Sequence, residues 1–126
     1  MQAYHGNIEE VSKANENFRT VLFTGEHSQL VVMSLAVGED IGMEVHNDVD
    51  QFFRVESGQG KAVIAGVEYP LADGIALVVP AGIEHNILNT GDASLKLYTI
   101  YSPANHPAGT VHATKAEAMA AEEHHH

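Results

Sequence analysis

The 126-residue chain contains no cysteine and only six basic residues, against seventeen acidic ones. Without cysteine there is no disulfide, no thiolate nucleophile and no thiolate metal site, so any metal ion must be held by nitrogen and oxygen ligands. The formal net charge of -11 repels nucleic acid phosphates and anionic lipid headgroups. We therefore expect neither a nucleic acid partner nor a membrane partner.

Long apolar runs are also absent from the chain. No stretch reaches the roughly 18 apolar residues of a membrane-spanning helix, and the first twenty residues lack the basic start and apolar core of a secretory signal. We expect a soluble, cytoplasmic protein with one domain over residues 1–126, since no linker or long repeat divides it. The three histidines at 124–126 are interpreted as the remnant of a purification tag and are left out of the site.

Short segments rich in β-branched and aromatic residues, separated by Gly, Pro, Asn or Asp, predict an all-β domain with its core barrel over about residues 20–102. The predicted strands are 21–24, 29–37, 41–46, 51–57, 61–66, 74–79, 85–89 and 94–101. Capping patterns predict a short N-terminal helix over 8–13 and a C-terminal helix over about 114–123. Because segment 29–37 is apolar on both faces, it is typical of a barrel or sandwich strand with a further layer outside, and we expect a homodimer.

Four polar side chains are spaced to meet around one metal ion. Glu44 and His46 are two residues apart in a predicted strand and share a face. Gln51 opens the next strand after a short acidic turn, and a hairpin would bring its amide oxygen beside His46. His85 follows a Pro-Ala-Gly turn and comes from a distant segment.

Two glycine-bracketed segments resemble the two motifs of the cupin superfamily. The first motif is Gly, five residues, His, one residue, His, three or four residues, Glu, six residues, Gly. Its intervals are matched by Gly38, Glu44, His46, Gln51 and Gly58. The second motif is Gly, five residues, Pro, one residue, Gly, two residues, His, three residues, Asn. Its intervals are matched by Gly74, Pro80, Gly82, His85 and Asn89.

The resemblance implies a double-stranded β-helix, or jelly-roll, barrel with one divalent transition metal ion in its interior, either Zn, Fe, Mn, Ni or Co. The implied metal ligands are Glu44, His46, Gln51 and His85. Glu44 stands where the family usually has His, and Gln51 stands where it usually has Glu. The ligand set still carries one negative charge when Glu44 is ionised. Since a neutral amide cannot accept a proton, Glu44 is the candidate catalytic residue.

At the level of function, the resemblance implies a divalent-metal-binding cupin that acts on or binds a small polar metabolite in the barrel. Three alternatives stay open: a sugar or sugar-phosphate isomerase or epimerase, a metal-dependent dioxygenase, and a non-catalytic small-molecule-binding cupin. A phosphate substrate would need positive charge near the mouth of the barrel. Strand alternation is expected to point Arg54, Lys61 and Lys96 outward instead.

A competing ligand set resembles the facial triad of 2-oxoglutarate-dependent iron oxygenases. It consists of His46, Asp48 and His85, with Lys96 as the residue that would hold the co-substrate carboxylate. We favour a solvated acidic turn at Asp48, because this set leaves the glycine intervals unexplained. For His106 and His112 we favour a place on the surface over a role in capping the pocket mouth. The side chains expected to fill the interior around the metal are Met33, Phe53, Val55, Leu77, Ile87 and Tyr98.

Overall fold

The computed structural model describes residues 2–123, so the interpretation of residues 124–126 as a tag lies outside the described part of the chain. Its elements are α1 Ile8–Ala14, β1 Arg19–Thr24, β2 Gln29–Leu35, β3 Asp50–Ser57, β4 Gly60–Ile64, β5 Val67–Leu71, β6 Ala76–Val79, β7 His85–Asn89, β8 Leu95–Ser102, β9 Val111–His112 and α2 Lys115–Glu123. Neither of these two helices is long and apolar enough to cross a membrane.

The strands form two antiparallel sheets that share one core. The larger sheet has the order β6-β3-β8-β2-β1-β9, and the smaller sheet has the order β5-β4-β7. Buried Phe53 and Leu97 from the larger sheet belong to the same apolar cluster as Ala62, Leu71 and Ile87 from the smaller one. This arrangement confirms the expected all-β jelly-roll barrel with a short helix at each end.

Strand register decides which side chains of the larger sheet reach the barrel interior. Gln51 of β3 lies opposite Tyr101 of β8, and Tyr101 lies opposite Gln29 of β2. These three side chains are buried on the inner face. By the same alternation Tyr98, which we expected inside, lies on the outer face of β8, and Tyr101 takes the interior position. The prediction that Tyr98 fills the interior is therefore wrong.

Helix α1 covers the outer face of strands β2, β3 and β8. Val32, on that face of β2, is buried, and so is Lys96 of β8. The Lys96 ammonium donates to the backbone oxygen of Asn15 at the end of α1 and lies 3.6 Å from a carboxylate oxygen of Glu16. The two-sided burial of β2 thus has a cause within the chain itself. The homodimer stays a prediction.

The segment 41–46 does not form the predicted strand, and it does not pair with β3 as a hairpin. Its one isolated bridge pairs Glu44 with His85, and Asp40 just before it pairs with Leu88, so the segment runs beside β7 of the smaller sheet. Gly42 explains the interruption, because its φ of 109° is outside the extended region. Its N–H donates to Oδ1 of the Asn86 side chain at 2.9 Å instead of to a ladder carbonyl.

Two strands were not predicted from the sequence. β5 contains Pro70 and is exposed at four of its five positions, so it lacks the apolar alternation that marks a strand. β9 is only two residues long and pairs with the start of β1, with His112 opposite Arg19.

Helix α2 packs back across the segment that carries Glu44. Ala118 of α2 is buried in the core, and Lys115 forms an ion pair with Asp40. The Met119 methyl group lies 3.8 Å from the place where a Cβ on Gly42 would stand. The chain end after β8 therefore closes over one end of the barrel.

Candidate metal centre

Backbone hydrogen bonds bring the two sequence motifs together. The N–H of Glu44 donates to the carbonyl of His85 at 2.8 Å, and the N–H of His85 donates back to the carbonyl of Glu44 at 2.9 Å. The N–H of Gly82 donates to the carbonyl of His46 at 2.8 Å. The glycine turn before β7 thereby fixes His85 beside the Glu44 and His46 segment.

The four side chains expected from the sequence converge inside the barrel. Glu44, His46 and His85 offer ligand atoms that all lie within 4.8 Å of one another. Nε2 of His46 is 3.7 Å from Oε2 of Glu44, and Nε2 of His85 is 3.2 Å from Oε1 of Gln51. Atoms bound about 2.1 Å from one ion are roughly 3.0 to 4.2 Å apart, so these spacings suit a shared metal ion after a small contraction. Asp48 of the competing set is exposed and lies outside this group.

The contacts of the His85 ring cannot all be satisfied by a neutral imidazole. Nδ1 lies 2.9 Å from the carbonyl oxygen of Ile83, and Nε2 lies 3.2 Å from Oε1 of Gln51. A neutral ring has one N–H, so in either tautomer one ring nitrogen directs its lone pair at an acceptor oxygen. A cation between Nε2 and Gln51, or a second proton on the ring, would remove this repulsion.

The amide of Gln51 is oriented by its other contacts. Its nitrogen donates to Oγ1 of Thr99 at 2.9 Å. Burial raises the pKa of the neighbouring Tyr101 hydroxyl, and the Gln51 side chain opposes that shift in part. With its nitrogen bonded to Thr99, the amide turns its oxygen Oε1 toward His85. This is the orientation that a metal-ligating glutamine requires.

His46 presents a second unpaired nitrogen to the same space. Its Nε2 is buried and has no hydrogen-bond partner. Burial lowers the pKa of His46, and the neighbouring His85 and Arg19 lower it further, so the ring is neutral at physiological pH. With its proton on Nδ1, the neutral His46 ring offers Nε2 as an electron-pair donor for a metal ion.

Burial also changes the pKa of Glu44, the carboxylic acid of the cluster. It raises the pKa of Glu44 from its ordinary value of 4.5 to about 7, with Arg19 opposing the shift and Glu122 adding to it. The Glu44 side chain retains 18% of its exposure and that of His46 retains 12%. Solvent therefore approaches the cluster from this side, since Gln51 and His85 are almost fully buried. Two surface cavities of about 270 and 480 Å³ lie elsewhere and are lined by none of the four residues.

The structure adds interior polar residues that the sequence reasoning missed. Tyr101 lies against His46 with the ring centroids 5.9 Å apart, and its hydroxyl is 3.3 Å from Nε2 of His106. Burial lowers the pKa of His106 to about 3, so its neutral ring can accept the Tyr101 proton in a hydrogen bond. His106 thus covers the inner Tyr101 rather than lying on the open surface.

Gln29 holds the His106 loop in place. Its amide nitrogen donates to the carbonyl of His106 at 2.7 Å and to Oγ1 of Thr24 at 2.8 Å. Its amide oxygen accepts from the N–H groups of Asn105 and His106 at 3.1 and 3.0 Å. One signal in the sequence could have identified this residue. Gln29 is the polar member of an apolar strand face that continues through Val31 and Met33.

The basic side chains that we expected to point outward do so, but Arg19 lies in the interior. Arg54 pairs with Glu56, Lys61 lies 2.9 Å from Glu68, and Lys96 bonds to the end of α1, all of them away from the metal candidates. Arg19, which the sequence reasoning did not single out, is buried in the interior. It lies opposite Met33 in the β1–β2 register and therefore shares the inward face.

Comparisons with known proteins agree with this architecture. A sequence model described as a cupin domain matches residues 31–101. The uncharacterized protein YrkC of Bacillus subtilis is 51% identical over 123 residues, which cover 93% of this chain and 66% of the relative. The chain thus spans somewhat less than two thirds of the length of YrkC.

Solved structures share this fold. The crystal structure of BH2720 from Bacillus halodurans superposes with a TM-score of 0.93 at 47% identity, covering 94% of this chain and 95% of that one. A Thermotoga maritima protein described as a predicted oxalate decarboxylase has a TM-score of 0.65 at 21% identity, covering 68% and 79% of the two chains. At that identity the likeness shows the fold alone.

Proposed function

The chain belongs to the cupin family, because the cupin model matches more than half of its 126 residues, and from this premise we propose that it binds one divalent transition metal ion inside the barrel. The proposed ligands are Glu44, His46, Gln51 and His85. The ion would serve to bind a small polar metabolite, and the same cluster would act on it.

The observation that carries this proposal is the opposition of His85 Nε2 and Gln51 Oε1 at 3.2 Å. With its proton on Nδ1, the His85 ring donates to Ile83 and keeps a lone pair on Nε2, while the Gln51 amide donates through its nitrogen to Thr99 and turns its oxygen toward that lone pair. Two lone pairs held face to face in a buried site repel each other unless a cation accepts both. The unpartnered Nε2 of His46 also supports a metal ion at this site.

The donor set agrees with the metals named from the sequence. Two imidazoles, one carboxylate and one amide oxygen suit Fe(II), Mn(II), Co(II), Ni(II) or Zn(II), and they leave room in the shell for small ligands. Such an ion, when bound, polarises a substrate oxygen as a Lewis acid. Glu44 is the ligand that can also hold a proton, while the Gln51 amide stays neutral. Among the alternative functions given above, a protonatable Glu44 beside the metal favours proton transfer on a small metabolite, as in an isomerase or epimerase.

We predict that untagged protein, dialysed free of metal, takes up one equivalent of Mn(II), Fe(II), Co(II), Ni(II) or Zn(II) per chain. Elemental analysis after gel filtration measures the uptake, and removal of residues 124–126 excludes binding by the tag. A protein that is isolated without a transition metal and regains none on titration would refute the proposal. Oxygen uptake by the loaded protein would indicate a dioxygenase. Ligand binding without turnover would indicate a non-catalytic cupin.

A second prediction concerns the pH dependence of the metal-free protein. Because burial raises the pKa of Glu44 from 4.5 to about 7, the folded state holds this proton more tightly than the unfolded state. Stability from this group is therefore complete below pH 4.5 and is lost as the pH rises through 7. Between pH 6.5 and 8 the free energy of unfolding should fall by about 0.8 kcal/mol more than in the Glu44→Gln variant.

Urea unfolding of both proteins at the two pH values measures this difference, and the histidine contributions cancel in the comparison. Saturating zinc should reverse the trend in the wild type, since the metal binds the deprotonated carboxylate. Parallel pH profiles for wild type and Glu44→Gln would show that Glu44 titrates normally.

A further inference from the structure

We propose that the barrel binds a small carboxylate anion, held between Arg19 and the metal ion. The proposal rests on the proposed metal site and names the class of metabolite that this site takes. It starts from a guanidinium that is only 2% exposed and lies on the inward face of β1.

The guanidinium of Arg19 is incompletely paired. Its Nη1 lies 3.5 Å from Nδ1 of His112, and its carbon lies 5.3 Å from the centre of the Phe18 ring. Its buried Nε has no hydrogen-bond partner. Among the described residues, no carboxylate oxygen lies within 4.0 Å of it. A buried cation with an unused donor and no counter-ion is costly unless an anion completes its shell.

Arg19 lies close enough to the cluster to act on it electrostatically. Its charge is felt at Glu44, His46, Tyr101 and His106. Glu44 and His46 are proposed ligands of the metal ion, and Tyr101 packs against the His46 ring. Since Arg19 is buried on the inward face of β1, an anion bound to its Nε would lie in the same interior.

The charges of the loaded site do not balance. A divalent ion and Arg19 bring three positive charges, and ionised Glu44 brings one negative charge. Glu122 also acts on Glu44, but it is exposed and its charge is screened by solvent. The interior is thus left with an excess of positive charge in a chain whose formal net charge is -11. A carboxylate ligand reduces this excess, and its two oxygens match the planar donor edge of a guanidinium.

The test compares two small ligands of nearly equal shape, lactate and lactamide, which differ in charge. Each is titrated into the cobalt(II)-loaded protein at fixed ionic strength, and binding is followed by the visible absorption of cobalt. The wild type should bind lactate at least about tenfold more tightly than lactamide. Arg19→Gln should lose about tenfold in lactate affinity with little change for lactamide, and Arg19→Lys should keep part of the preference.

The control variant is Lys13→Gln, which removes one positive charge from the half-exposed side chain on α1 and should change neither affinity. Cobalt content is measured separately on every protein and should not fall in the Arg19 variants. A wild type that takes up no cobalt contradicts the metal site itself. A wild type that takes up cobalt but binds both ligands equally contradicts the carboxylate site alone, and so does an Arg19→Gln variant with unchanged lactate affinity. If Arg19→Gln does not fold, Arg19→Lys decides the role of the guanidinium edge.

Discussion

Replacing His85 by alanine should lower the affinity for a divalent transition metal at least about a hundredfold, because even residues that only support a ligand change affinity tenfold to a hundredfold. His85 supplies a proposed ligand nitrogen, and its ring also faces the proposed ligand oxygen of Gln51. Without the ring, the remaining donors form an incomplete shell. Competition titration with a chromophoric chelator, using zinc or cobalt, measures the change directly.

His27→Ala is the matched control for this experiment. His27 lies 3.7 Å from a carboxylate oxygen of Glu26, the same separation that His46 has from Glu44, but both side chains are largely exposed. Its removal should leave metal affinity unchanged. If His85→Ala keeps its metal while His27→Ala loses it, the ion is bound outside the barrel.

Replacing Gly58 by alanine should cost about 3 kcal/mol or more of the free energy of unfolding. Gly58 has a φ of 97°, which strains any residue with a side chain. A Cβ there would also stand 2.7 Å from the carbonyl oxygen of Ser94 and 3.0 Å from Cα of Leu95. Both atoms belong to backbone, so the clash can be relieved only by moving the start of β8.

Gly74→Ala separates the two causes. Gly74 has a similar φ of 90°, but a Cβ there would meet nothing within 4 Å. It should therefore cost only the backbone strain, about 1 to 2 kcal/mol. Urea unfolding of both variants, with unchanged slope, gives the comparison. Equal losses would show that the approach of β8 to Gly58 is not a tight contact.

The motif intervals predicted the barrel and the meeting of Glu44, His46, Gln51 and His85, although the strand pairing assumed for them was wrong. We expected a hairpin between segments 41–46 and 51–57, but Gly42 interrupts the first segment and turns it toward β7. The residues converge nonetheless, because β7 brings His85 to Glu44 while Gln51 reaches His85 from the facing sheet.

The motif spacing could not predict the roles of Arg19 and Gln29. These roles depend on long-range strand register and on the path of the chain after β8. Arg19 gains its neighbour His112 only through β9, a two-residue strand that no local pattern marks. Gln29 gains three of its four hydrogen bonds from residues 105 and 106. Each does stand on a strand face that is otherwise apolar, and this is the signal that could have drawn attention to them.

The reciprocal backbone hydrogen bonds between Glu44 and His85 separate the position of the ligands from their chemical identity. Main-chain atoms set the distance between these two positions, so position 44 can carry an imidazole or a carboxylate without any change in the path of the chain. A change of side chain at position 44 therefore changes the charge of the site while the main-chain frame stays the same. The backbone of the barrel fixes where a ligand stands, and the side chain at that position decides the charge that it brings to the site.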